Sequence, residues 1–347
     1  MQADNETARG QNWTPILRGY READHGRSLL EIALTVVPFV LLWLAMLASL
    51  QVSYWLTLLL ALPTAGFLVR LFMIQHDCGH GSFFRNRIIN DCVGRCLSVL
   101  TLTPYSHWRE SHAIHHATSG KLDQRGIGDI DTLTVAEYRA LSRWGRLRYR
   151  LYRHPLVMFG VGPAYVFLLQ NRVPSARFWA TRRAWVSALT TNLAIAAAFF
   201  GAMWLVGVVP FLLVHLPVTV LAASIGVWLF FVQHQFEDTY WDWKPDWSHH
   251  DAALQGSSHY VLPAWLQWMT ANIGIHHVHH LSSGIPFYRL PAVLKDHPAL
   301  AEAGRMTIKE SLQCVKLTLW DETERRLISF DEFRRLEGQR AGAALAA

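Results

Sequence analysis

The sequence predicts an all-α integral membrane protein, with four transmembrane helices in two hairpins beneath a cytoplasmic helical cap. Three observations predict this fold. Four apolar runs are each long enough to cross a bilayer, they fall in two closely spaced pairs, and no segment alternates as a half-buried strand would.

Residues 1–28 read as a polar cytoplasmic arm. The first run, Leu29 to Leu50, carries one charge, Glu31, and the second, Val52 to Met73, carries only Arg70. Trp185 to Val206 and Val208 to Val232 contain no Asp, Glu, Lys or Arg. Each matches the roughly 20 residues that span the hydrocarbon layer. A buried helix of a large soluble protein could account for one such run, but not readily for four in two pairs. The first run follows a long polar stretch without a small-residue cleavage pattern, which marks a retained anchor and not a signal peptide.

The turns near Gln51 and Gly207 are short, so the polar regions 74–184 and 233–300 share one side with both termini. None of the 32 Lys and Arg residues falls in those turns. That asymmetry places the shared side in the cytoplasm, and the placement read from it is a bacterial inner membrane. The net charge of +6 then serves as a topological signal, and no nucleic-acid-binding motif accompanies it. Cys78, Cys92, Cys96 and Cys314 all lie on the reducing side, with no second Cys pair to complete a zinc or iron–sulfur pattern.

Ile88 to Thr103 is apolar but interrupted by Asp91 and Arg95, which fits a helix lying in the interface. Arg139 to Arg153 is arginine-rich at near-helical spacing, suited to docking an acidic electron carrier or to touching lipid headgroups. Pro155 to Gln170 is short for a crossing and holds Gly160, Gly162 and Pro163, so it should lie in the interface or dip partway. Trp241, Trp243 and Trp247 suit a headgroup-level anchor. Residues 301–347 read as a charged cytoplasmic tail.

Histidines carry the chemistry. His76 and His80 stand in HDCGH, His112, His115 and His116 in HAIHH, and His276, His279 and His280 in HHVHH. Residues three and four apart share a helix face, so each cluster can aim its imidazoles one way. The first two clusters precede the second hairpin and the third follows it, which brings all three to one side at similar depth. Chance matches to HxxHH are expected roughly 0.05 times in such a chain, yet two occur. Eight imidazoles exceed what one ion takes, so the pattern points to two metals. The nearly all-nitrogen set permits iron or zinc, but a structural zinc closes with four ligands and leaves the surplus unexplained.

His234 follows the fourth run as His76 follows the second, which makes it a candidate ninth ligand. His277 points away from its cluster and reads as an outer-shell or surface residue. His215 is assigned to packing, and His107, His249, His250 and His259 to surface or interfacial roles. Asp77, Asp129, Asp131 and Glu237 are candidates to accept the second ring N–H of ligating histidines.

At HDCGHGSF, SHAIHH with GDIDTLT, VQHQFEDTYW and NIGIHHVHHLSSGIPFYRL the chain resembles the membrane-bound fatty acid desaturases, from about residue 55 to 300. Its text looks most like the bacterial and cyanobacterial acyl-lipid Δ12 (omega-6) type, with His107 and His259 as departures. The resemblance implies a non-haem centre of two Fe ions, with O2 as co-substrate, that inserts a cis double bond into an acyl chain. Its ligands would be the eight box histidines, with His234 matching an extra one. It implies a membrane lipid or acyl thioester substrate in an apolar tunnel, and a separate donor such as ferredoxin or a cytochrome b5-like carrier. Related hydroxylases or ketolases of lipids, sterols or carotenoids use similar boxes. A metal transporter fits less well, since transport sites lie near the bilayer midplane.

Overall fold

The computed structural model describes residues 10–346, so the first nine residues of the expected arm and the last residue of the tail lie outside it. Helix α1, His25–Ser49, begins at an Asp24 side chain that accepts the Arg27 N–H. After Leu50 to Ser53 the chain enters α2, Tyr54–His80. Then come α3 (Arg87–Leu100), α4 (Tyr105–Thr118), α5 (Arg143–Tyr152), α6 (Gly162–Leu168), α7 (Arg182–Val206) and α8 (Val208–His234). The third histidine cluster forms α9, His276–Leu281.

Helices α1, α2, α7 and α8 are long and apolar enough to cross a membrane. They match the four runs, except that α2 continues to His80 and α8 to His234, carrying histidines on the ends of long, rigid rods. Helix α2 packs between α1 and α8. The expected helix over Ile88 to Thr103 forms only as far as Leu100, and α5 meets the segment after it at a 57° bend.

The all-α expectation needs correction: the protein is mostly helical. Among the described residues five short strands occur, β1 (Leu133–Thr134), β2 (His259–Val261), β3 (Arg305–Thr307), β4 (Leu317–Asp321) and β5 (Arg326–Ser329). Strand β4 lies between β1, parallel, and β5, antiparallel, while β2 pairs with β3 in parallel. Four of the five β4 residues are buried, so the polar–apolar alternation that marks a half-exposed strand is missing. Both sheets use residues beyond 300, which are thereby tied to the segments at 133–134 and 259–261. The N-terminal arm is likewise docked: Tyr20 donates to Asp296 at 2.6 Å and Arg21 to Ser282 at 2.8 Å.

The arginine-rich segment is partly engaged with the rest of the protein. Arg139 pairs with Glu337, Arg146 donates to the Arg139 carbonyl, Arg150 to the Tyr138 hydroxyl, and Arg153 is buried. Arg143, Arg148 and Arg150 stay exposed for either expected role, beside the exposed Trp144, Leu147 and Leu151. Of the tryptophan cluster only Trp243 faces outward. Trp241 packs on Trp320, and Trp247 donates to the Ser119 carbonyl at 2.9 Å.

The two charges of the first two apolar runs belong together. Glu31 and Arg70 are each 1% exposed and paired with one another. Arg70 also donates to Thr35 at 3.1 Å and to the Trp268 carbonyl, and lies 4.1 Å over the Trp268 ring. Removing one partner of such a pair strands a buried charge. Arg70→Ala is expected to lower stability by about 3–5 kcal/mol. Thermal unfolding in detergent reads the loss, and the apolar double replacement Glu31→Leu with Arg70→Met recovers most of it.

Candidate metal centre

Local sequence fixes each ring's starting point. Gly81, at φ +74°, ends α2 one residue after His80, as a left-handed C-cap does. Gly79 lets Trp108 approach: a Cβ there would lie 2.8 Å from the indole. Trp108 in turn stacks on His112 with ring centres 4.6 Å apart. Helix α4 carries His112, His115 and His116 on adjoining turns, and α8 delivers His234 at its last residue.

All nine expected residues converge, in two groups. His76, His80, His112, His116 and His279 form one, and His115, His234, His276 and His280 the other. Within each group one nitrogen per ring lies within 4.8 Å of the rest. The groups adjoin, with His116 and His280 stacked at 4.2 Å. Burial foremost, then repulsion among neighbouring rings, pushes the pKa values of His112, His116, His276, His279 and His280 well below the usual histidine range. These rings are therefore neutral, the state that binds metal.

Tautomers decide what the cluster needs. His234 Nδ1–H donates to the Gly256 carbonyl at 2.9 Å, and His115 Nδ1–H to Asp129. Each ring then presents a bare Nε2, and these two nitrogens are 3.2 Å apart. His234 Nε2 is also 3.0 Å from His276 Nε2. His76 Nδ1–H donates to Asp77 at 3.0 Å, which leaves its buried Nε2 without a partner. Lone pairs facing one another at such distances require a cation between them. The donor set therefore fits two metal ions bound through nitrogen.

Of the four candidate carboxylates, Asp77 and Asp129 hold ring N–H groups. Asp131 reaches no histidine, and Glu237 pairs with Arg326. His277 belongs to neither group; it is fully buried and donates to the Leu300 carbonyl at 2.7 Å. Its pKa is pushed down to about 3 by desolvation. His259 is buried too, with Nδ1–H on the Ala301 carbonyl at 2.6 Å, so its expected surface role is corrected. Both rings are covered by a segment far away in sequence. His215 packs between Phe199 and Phe211, as expected.

A cavity of about 300 Å³ leads from His76, His112 and His276 into the helices. Leu68, Val69, Phe72 and Met73 of α2 face Ala222, Ala223 and Gly226 of α8 across it. A Cβ at Gly226 would meet nothing within 4 Å. The small α8 residues, spaced three and four apart, were readable as one face, but nothing in the text announced that the face was hollow.

The fatty acid desaturase family model matches residues 53–311. A fatty acid desaturase of Bacillus subtilis is 47% identical over 317 residues, covering 91% of this chain and 90% of the relative. The chain belongs to the fatty acid desaturase family. This desaturase is thus an oxidoreductase acting on fatty acyl chains, and the hydroxylase and ketolase alternatives are not favoured. More distant relatives include an sn-1 oleoyl-lipid 12-desaturase of Anabaena variabilis, 26% identical over 70% of this chain and 69% of its own. An sn-1 acyl-lipid omega-3 desaturase (ferredoxin) of Synechocystis is 29% identical over 72% and 70%.

Asp129 both orients His115 and sets its tautomer. Asp129→Ala is expected to weaken metal binding by about 10–100-fold, read by competition with a chelator of known affinity.

Proposed function

We propose that this desaturase uses O2 and two electrons from a separate carrier to place a cis double bond in a fatty acyl chain, at two iron ions. His76, His80, His112, His116 and His279 would hold one ion, and His115, His234, His276 and His280 the other. The single observation that carries the reading is the convergence of bare imidazole nitrogens at the head of an apolar cavity. Bound iron supplies activation of O2 for removing hydrogens from neighbouring methylenes, which no side-chain base can do near neutral pH. In balance, one –CH2–CH2– unit, one O2, two electrons and two protons give one –CH=CH– unit and two waters.

The chain's own residues bind and orient. Asp77, Asp129 and the Gly256 carbonyl hold Nδ1 protons on His76, His115 and His234, so that Nε2 faces inward. Phe72, Phe167 and Leu229 help line a wall that excludes water and sets the methylenes beside His76, His112 and His276. Substrate carbons carry no polar handle, so depth in this cavity selects them.

Helices α1 with α2 and α7 with α8 read as two membrane hairpins. Their connections, Leu50 to Ser53 and Gly207, contain no Lys or Arg, which supports a cytoplasmic cap in a bacterial inner membrane. The relatives named as oleoyl-lipid 12-desaturases support a Δ12 position, and the ferredoxin-named relative supports an iron–sulfur carrier as donor.

Expression in a host with simple lipids, followed by location of new double bonds, tests the reaction. His115→Ala is expected to abolish desaturation and lower bound iron while the protein still inserts. Full activity in that variant removes His115 from the ligand set. Gly226→Phe should cut conversion of long chains by about tenfold relative to shorter ones, seen in fatty acid profiles, with iron content unchanged.

A further inference from the structure

Hydrocarbon and water need different surroundings, and this protein provides both within one side chain of each other. Besides the apolar cavity, a smaller chamber of about 20 Å³ lies behind the four-histidine group. Lys121, Arg125, Asp129 and Gln235 line it, and so do Ser119 and His234. A polar space of roughly 10–15 Å³ suffices to hold one water molecule, so the chamber has room for one and polar partners to hold it. Among the described residues Phe230 alone lines both spaces. It stands one turn before His234 on α8, with its ring centre 5.5 Å from that of His234 and 5.2 Å from that of His115.

The four-histidine group depends on such a chamber more than its neighbour does. All four of its rings are buried, whereas His80, His112 and His116 of the other group are half-buried. On the cavity side an acyl chain displaces solvent during the reaction. Yet each double bond takes up two protons and releases two waters, and polar species are costly to move through hydrocarbon. The chamber bridges that gap. Asp129 lines it with a side chain 20% exposed, and the His115 ring bonded to Asp129 is 1% exposed.

We propose that the chamber is the solvent port of the four-histidine group. It binds an ordered water behind His234, along which protons enter and product water leaves, and Phe230 is the wall that keeps this water out of the acyl cavity. The protons travel on water, and no side chain need change its charge. This traffic rests on the desaturase reading; the water site stands without it.

Iron-loaded protein in vesicles of a disaturated phosphatidylcholine, without reductant, is subjected to X-ray hydroxyl-radical footprinting, which oxidises side chains that touch water. Phe72 lines only the apolar cavity and reports, by staying unlabelled, that acyl chains fill it. Phe230 is then expected to be labelled from the chamber. Ser119 follows His115 by four residues, on the same side of α4. Ser119→Val fills the chamber and is expected to abolish Phe230 labelling and to slow double-bond formation several-fold, with iron content unchanged. Ser119→Ala keeps the room and should retain both. Phe230→Leu thins the wall and should raise the O2 consumed per double bond formed. An unlabelled Phe230 in the unaltered protein, or equal labelling in Ser119→Val, overturns the water site. Lost labelling with unchanged turnover overturns the port, and an unchanged O2 ratio in Phe230→Leu overturns the wall. If Ser119→Val fails to fold, Ser119→Thr, which adds a single methyl group, decides in its place. Failure of the desaturase reading looks different: labelling follows the chamber as expected, yet O2 and reductant give no double bond even in the unaltered protein.

Discussion

Bare ring nitrogens aimed at one another are the constraint on which this structure depends. In water each Nε2 would take a hydrogen from solvent. Here burial removes that option, and the Nδ1 protons of His115 and His234 are already committed to Asp129 and the Gly256 carbonyl. Facing lone pairs repel, so the geometry must be imposed from outside the cluster. Long helices do part of this. His80 and His234 sit at the ends of helices about 40 Å long, which carry them to one level with little freedom.

The third cluster has no such rod. Helix α9 is six residues long, too short to be stable on its own. It is held from both flanks by α2. Arg70 donates to the Trp268 carbonyl before it, and Asp77 accepts the Phe287 N–H at 2.7 Å after it. Asp77 uses its other oxygen for His76, so one carboxylate ties the first cluster to the segment beyond the third. Glu31 secures Arg70 in turn. A buried ion pair contributes little net stability by itself; its value here is to fix where Trp268, and hence α9, can stand.

Much of this was legible in the sequence. The four spans could be read because twenty apolar residues leave few alternatives, and the three boxes because three-and-four spacing specifies a shared face. His234 was legible from its place after the fourth run. Strand β4 was not, since burial on both faces erases alternation. Nor was the burial of His259 and His277, which depends on the Leu300 and Ala301 carbonyls arriving from where the expected tail begins. Asp129 and Asp131 stand two residues apart in the same acidic motif, yet only Asp129 meets a ring. Spacing cannot decide that, because Gly126 and Gly128, both at positive φ, set the turn that aims the carboxylate. The arginine-rich segment divides for a related reason: Arg143, Arg148 and Arg150 stay exposed, while Arg139 meets Glu337, a partner far along the chain.

A neutral ligand set also bears on charge. Nine neutral imidazoles would bring no negative charge to balance the two ions proposed, and the cavity beyond them is lined mainly by apolar side chains. Compensation must come from one layer out, where Asp77 meets a ring of the five-histidine group and Asp129 a ring of the four-histidine group. Each carboxylate thus fixes a tautomer and, were an ion bound, would offset part of its charge through the same hydrogen bond. Asp77 is buried, whereas the Asp129 side chain is 20% exposed. The rings differ the other way: three of the five-histidine group are part-exposed, whereas all of the four-histidine group are buried.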